Sequence, residues 1–282
     1  MRDDGRMTPP VPRAGAVDGQ PDDELVPPHR HATRPRAARA GGDPTTDLAA
    51  WDAAAGRYAT TVGGVDDSFR RRFEPFLARW LPPGDPRVLD LGCGHGWLTA
   101  TMAARGARVV GVDGSAALVA RARTDHPTLR FEVGDLTAGL PPDLAGPFDA
   151  VVSHMVLMDL PVVDEVLRDV ATRLADDGVL VASILHPAFF RQQPVLHGQR
   201  HRRVTGYLEH EEWWIESFGG HRHYHRPLAW YVQRLRDAGL VLVDLDEPPS
   251  LPAHGAAEHA WTPDERWFAS IPTMLSFAAR RR

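Results

Sequence analysis

From Arg87 onward, short apolar runs alternate with stretches whose apolar positions recur every three to four residues. RVLDLG, RVVGVD, LRFEVGD, FDAVVSH and VLVASILH read as strands, and WLTATMAARG, SAALVARARTDH and VVDEVLRDVATRLADDG read as the helices among them. Strands and helices alternating at this period imply right-handed crossovers and a parallel sheet covered by helices on both faces, a doubly wound α/β domain. In such sheets the ligand sits outside the carboxyl ends of the strands, so chemistry is sought in the residues that follow each strand.

Upstream, DLAAWDAAAGRYATTV and SFRRRFEPFLARWL read as two helices, the second ended by Pro82, Pro83 and Gly84. Residues 1–46 hold eight prolines, seven arginines and seven acids with little apolar content, and are expected to form a disordered extension to a domain spanning 47–282. Downstream, about 187–226 break the alternation with histidines, aromatics and arginines and are expected to be an inserted cap, with a β-hairpin turning at Gly219 and Gly220. PLAWYVQRLRDAG returns as a helix started by Pro227, followed by the strands LVLVDLDE and IPTMLSFAARR, which brings the sheet to seven strands.

Composition narrows the chemistry. All 32 positive residues of the 282 are arginines, which excludes a Schiff-base lysine, a pyridoxal-phosphate anchor and a P-loop lysine. The single Cys93 forms no internal disulfide and no thiolate cluster, which suits a reducing, cytoplasmic location. A net charge of −5 lacks the basic excess of a nucleic-acid binder, and no apolar run is long enough for a membrane span. The expected partner is a small molecule, with no nucleic acid and no membrane, for a monomer or homodimer.

The first strand runs into DLGCGHG, placing Asp90, Gly92, Cys93, Gly94 and Gly96 directly before a helix. Glycines there allow a tight turn and close approach of a ligand to backbone. A dinucleotide fingerprint would need glycine where this chain has Trp97, which weakens a nicotinamide oxidoreductase reading. Asp113 ends the second strand 23 residues after Asp90, Asp135 ends the third another 22 residues on, and Ser153 and His154 end the fourth. This series resembles motifs I to IV of the class I S-adenosylmethionine-dependent methyltransferases, and SILHPAFF and YHRPLAWYVQRLRDAGL resemble their small-molecule (type 11/25-like) subgroup. The resemblance implies a mostly parallel, seven-stranded Rossmann-like methyltransferase sheet with an acceptor-side cap. It places S-adenosylmethionine against Asp90, Gly92, Cys93, Gly94 and Gly96, with Asp113 and Gly114 at the ribose. Gly134, Asp135 and Leu136 would lie at the adenine, Ser153 and His154 near the methyl group, and Tyr58 in a lid. The product would be S-adenosyl-L-homocysteine.

Trp51 and Tyr58 are seven residues apart and so share one helical face. On the acceptor side, His186 follows the fifth strand, and Tyr224 and His225 precede Pro227. A neutral imidazole removes a proton near pH 7, which makes His186 and His225 candidate bases with Tyr224 as an acceptor contact. Each is equally suited to holding a loop to the sheet. Arg226 suits an acceptor carboxylate, or a bridge to the acidic EHEE of the cap. Phe189, Phe190, Tyr207, Trp213, Trp214 and Trp230 suit either a planar aromatic or heterocyclic acceptor or the cap's own core. His221, His223 and His225 alternate along the hairpin, but without ligand spacing, so no metal site is expected. Fold does not fix function, so a non-methylating catalyst (a cyclase or rearrangement enzyme) or a non-catalytic cofactor-binding partner remain the rival readings.

Overall fold

The computed structural model describes residues 43–190, 204–252 and 256–282. The elements run α1 (Pro44–Thr61), α2 (Ser68–Trp80), β1 (Arg87–Leu91), α3 (Trp97–Ala104), β2 (Arg108–Asp113), α4 (Ala116–Asp125), β3 (Arg130–Val133) and β4 (Phe148–His154). They continue with α5 (Asp164–Arg173), β5 (Leu174–Leu185), β6 (Glu211–Ile215), β7 (His221–His225), α6 (Leu228–Asp237), β8 (Leu240–Asp246), α7 (Pro263–Ala269) and β9 (Met274–Arg281).

Seven strands form one sheet in the order β3-β2-β1-β4-β5-β9-β8. The first five are parallel, and β9 runs antiparallel between β5 and β8. The strands are apolar on both sides because both faces are covered, and alternate residues serve different layers. Leu89, Leu91, Val151 and Leu180 face α5 and α6, packing with Val166, Val170 and Leu235. Their neighbours Val88, Val152 and Val181 face the other way onto Phe73, Phe76 and Leu77 of α2 and Met102 of α3. Truncating a fully buried Phe such as Phe73 to Ala in this layer costs about 3–5 kcal/mol.

Two boundaries differ from the sequence reading. Residues 44–46, assigned to the disordered extension, form the first turn of α1, because Asp43 caps it by accepting from the Thr45 N–H at 3.0 Å and Pro44 takes the first helical position. Residues 1–42 of that extension lie outside the described residues. The helix read through LADDG stops at Arg173, where Leu174 turns extended and pairs with Phe148. The pattern did not show α7, although its capping box, Thr262 with Glu265, was present in the sequence. The hairpin forms as expected from β6 and β7, as a separate two-stranded sheet. Among the described residues no helix is long and apolar enough to cross a membrane.

Candidate active site

The loop leaving β1 holds Gly92 and Gly94 in the left-handed region, at φ +72° and +54°. Their lack of side chains also makes room: a Cβ on Gly92 would lie 2.3 Å from Val156, and one on Gly94 would lie 3.2 Å from the Tyr58 ring. Both glycines therefore form the bare floor of a cleft at the carboxyl edge of the sheet. Asp113, at the end of β2, stands beside them. Its Oδ2 accepts the Gly94 N–H at 2.9 Å and its Oδ1 accepts the Ser115 N–H at 2.8 Å. Burial pushes its pKa up against these backbone bonds, which pull it down. Gly114, Asp135 and Leu136 extend the same wall, and Asp135 Oδ1 takes the Thr137 N–H and hydroxyl.

His154, at the end of β4, also lines the cleft. Its ring stacks on Phe73 with centroids 4.5 Å apart, and its Nδ1 pairs with the Ser183 hydroxyl at 2.7 Å. Burial drops its pKa to about 4, so the imidazole is neutral at physiological pH.

Five residues that the resemblance assigned to the cofactor lie behind this surface. Asp90 is buried, accepts the Thr99 hydroxyl at 2.5 Å, and is pushed by burial up to about 7. The buried Cys93 packs under Gly111 with its thiol pKa raised by burial, and fixes the loop through its N–H to Val112 O at 3.0 Å. Gly96 caps α3 against Phe131, Gly134 donates its N–H to Asp113 O at 3.0 Å, and Ser153 is fully buried within β4. None of the five lines the cleft. They shape it.

The helix α1 roofs the cleft. Trp51 and Tyr58 meet edge to face, with centroids 5.5 Å apart, and both line the space beneath, as do Asp47 and Leu48. Two polar attachments hold the helix down. Asp52 accepts from the Ser115 hydroxyl and the Ala117 N–H, at 2.6 and 3.0 Å, reaching the N-terminal turn of α4. On the other side, Asp47 accepts from Tyr224 at 2.5 Å and from Arg222 Nε at 2.9 Å, both on β7.

The acceptor-side candidates fall elsewhere. His186 is not on the cleft wall: its Nε2 lies 2.7 Å from Glu247 Oε1, and its Nδ1 accepts the Ala188 N–H at 3.1 Å. It ties the end of β5 to the segment after β8, the structural alternative that its position allowed. His225 is also away from the cleft, stacked on Trp213 at 5.0 Å with Nε2 3.2 Å from Tyr207 O. Tyr224 reaches the site only through Asp47. Arg226 neither binds EHEE nor faces the cleft. Its guanidinium donates to the carbonyls of Leu157, Leu160 and Pro161, and it is Arg222 that bridges to Glu212. The cap aromatics pack among themselves and the histidines rather than lining the cleft. The aromatic side chains that do line it are Trp51, Tyr58 and His154. Among the described residues no three histidine, cysteine or acidic side chains are placed to share a metal ion.

The sequence reading missed Asp159, Asp47 and the apolar pair Leu160 and Pro161, all on the wall. Asp159 lies five residues after His154, beyond a strand end where ligands bind, and that position was the available signal.

A methyltransferase-domain family model matches residues 66–245. The chain belongs to the class I S-adenosylmethionine-dependent methyltransferases. This methyltransferase is 28% identical to an S-adenosylmethionine dependent methyltransferase from Mesorhizobium loti, with a TM-score of 0.63 over 77% of this chain and 100% of that one. It is 37% identical over 117 residues to a trans-aconitate 2-methyltransferase of Variovorax paradoxus, covering 41% of this chain and 44% of that protein. It is also 32% identical over 132 residues to a ribosomal RNA small subunit methyltransferase C of Chromohalobacter salexigens, covering 44% and 40%. The chain thus spans less than half the length of these curated relatives.

The donor set of the methyltransferase cleft fits the family's cofactor. Each Asp113 oxygen spends one lone pair on a backbone N–H, which leaves one on each for a vicinal diol. Asp135 Oδ2 and the Tyr58 hydroxyl have no hydrogen bond among the described residues, and suit an exocyclic amine and a carboxylate respectively. The cavity volume of the cleft is about 80 Å³. A ligand that needs several hundred Å³ enters only if the lining side chains move apart.

Proposed function

We propose that this methyltransferase transfers the methyl group of S-adenosylmethionine to a small-molecule acceptor, in the cytoplasm. The observation that carries the reading is the convergence of four strand ends, through Gly92 and Gly94, Asp113, Asp135 and His154, on one cleft beneath α1. When bound, the cofactor supplies an activated methyl on a sulfonium. The protein's task is then to hold the acceptor's nucleophile close and in line.

Asp113 would grip the ribose, Asp135 the adenine amine, and the glycine floor would lie against the methionine part. The neutral His154 ring, fixed by Phe73 and Ser183, would border the transfer region without adding a positive charge beside a sulfonium. By closing over the mouth, α1 would exclude water. A narrow, roofed cleft and a net charge of −5 favour a free metabolite over RNA. The Trp51 indole on the wall would stack a planar acceptor, aromatic or heterocyclic.

Incubating the protein with methyl-labelled S-adenosylmethionine and a small-metabolite extract tests the reading. Label transfer with equal formation of S-adenosylhomocysteine is expected. Consumption of an acceptor without S-adenosylhomocysteine would mean a non-methylating reaction on this scaffold.

A further inference from the structure

Four carboxylates line the cleft, and they differ in what already holds them. Asp47 has both oxygens taken, by Tyr224 and Arg222. Asp113 accepts a backbone N–H on each oxygen, and Asp135 takes two donors from Thr137. Asp159 alone among them has no hydrogen bond to the described residues, although it is 9% exposed. Its Oδ1 is buried and unpartnered. His223 Nδ1, also buried and unpartnered, lies 3.6 Å away, too far for a hydrogen bond.

This isolation is built in. The loop carrying Asp159 is clamped from the hairpin side, where Arg226 donates to Leu160 O at 2.8 Å and Pro161 O at 2.6 Å, and Tyr224 N–H to Met158 O at 2.7 Å. A carboxylate held rigidly out of water without donors keeps a high affinity for protons. The titratable groups facing it are His221 and His223 from β7, Arg226 beyond them, Asp47 and Tyr58 from α1, and Tyr231 from α6. Burial outweighs them and pushes Asp159 up to about 7. The two histidines are pushed the other way by burial, His223 to about 3, and stand neutral.

The wall offers no cation to an anionic ligand. The chain has no lysine, no arginine lines the cleft among the described residues, and the nearby Arg222 and Arg226 are spent on Asp47, Glu212 and loop carbonyls. We propose that Asp159 is the proton acceptor of the methyl transfer, and that the acceptor molecule is neutral or cationic, presenting an N–H or O–H to it. This rests on the methyl-transfer reading above. The acceptor's N–H or O–H bond breaks and its proton passes to the Asp159 carboxylate. The freed pair on the heteroatom forms the bond to the methyl carbon, and the electrons of the broken carbon–sulfur bond stay on sulfur.

The test begins with wild-type protein, methyl-labelled S-adenosylmethionine, and a small-metabolite extract divided by ion exchange into cationic, neutral and anionic fractions. Label is expected from the cationic or neutral fraction, and label confined to the anionic fraction overturns the substrate class. No label from any fraction, with cofactor binding intact by calorimetry, defeats the methyl-transfer reading itself. With the accepted fraction, kcat/KM of the wild type should rise with pH through about 7, and a flat profile from about pH 5.5 to 8.5 overturns the role of Asp159. Asp159→Asn should lower transfer by roughly 10²- to 10⁴-fold, with S-adenosylhomocysteine affinity unchanged. A folded variant that transfers at the wild-type rate removes Asp159 from the chemistry. The wild-type profile decides the matter if the variant does not fold.

Discussion

The phenol of Tyr224 donates to Asp47 Oδ2 at 2.5 Å, joining positions 177 residues apart in the chain. This contact fastens the cap hairpin to the roof helix and leaves Asp47 unavailable for chemistry. Tyr224→Phe removes the donor but keeps the ring. Because Arg222 still holds the other oxygen, the expected loss is about 1–3 kcal/mol of stability, read as a lower urea midpoint. An unchanged midpoint would show that the Tyr224 hydroxyl adds nothing to the bracing of α1.

Asp113 is predicted to govern cofactor affinity. Asp113→Asn keeps the shape but sets an NH2 against one of the two backbone N–H groups, Gly94 or Ser115, and leaves a single oxygen to accept from the diol. A weakening of roughly 2 to 4 kcal/mol in S-adenosylhomocysteine binding is expected by calorimetry. Equal affinity in a folded variant would remove Asp113 from the cofactor side.

His186 is predicted to matter for stability and not for turnover. Its imidazole is occupied by Glu247 and the Ala188 N–H, so His186→Ala should lower the melting temperature while transfer stays within about twofold of wild type. A selective fall in rate at unchanged stability would return it to the site.

Asp90 gives a pH signature to folding. Its carboxyl titrates at 3.8 unfolded and at about 7 in the fold, so the folded state holds its proton longer. The stability this confers is complete below about pH 3.8 and lost as pH rises through about 7. Asp90→Asn cannot titrate. Its stability relative to wild type should therefore climb between pH 4 and pH 8, by up to about 4 kcal/mol, in urea melts across that range. A difference independent of pH would contradict the assignment.

The N-terminal boundary is testable by two truncations. Removing residues 1–42 keeps the Asp43 cap and should leave the melting temperature unchanged. Removing 1–46 deletes that cap and the first turn of α1, at a cost of about 1 kcal/mol or more. Identical melting curves would put the boundary further on.

The strand-end part of the cleft, Gly92, Gly94, Asp113, Asp135 and His154, was legible because each residue's place follows from its own strand, whereas the packing that puts Asp90, Cys93, Gly96, Gly134 and Ser153 behind the wall was not. DLGCGHG, Asp113 and Asp135 are strand ends, and period-two apolar runs mark where strands stop. The acceptor half was not, because its decisive partners are distant in sequence. Whether Arg226 binds a ligand or the carbonyls of Leu157, Leu160 and Pro161 depends on how the hairpin docks on a loop some 65 residues earlier. His186 likewise stands at a strand end as a ligand-binding residue would, and only the approach of Glu247 decides otherwise. The early end of α5 had a similar source. LADDG continues the helical pattern, but Leu174 gains a strand partner in Phe148.

The placement of α1 bears on the order of events in turnover. One helix supplies Tyr58 above Gly94, Leu48 against Gly114, and Trp51 and Asp47 to the same cleft. A rigid rod cannot lift from part of that cleft while staying seated on the rest. Under the proposed reaction, cofactor and acceptor would then pass one doorway in turn. Steady-state kinetics should then show a compulsory sequence in place of independent exchange of the two ligands.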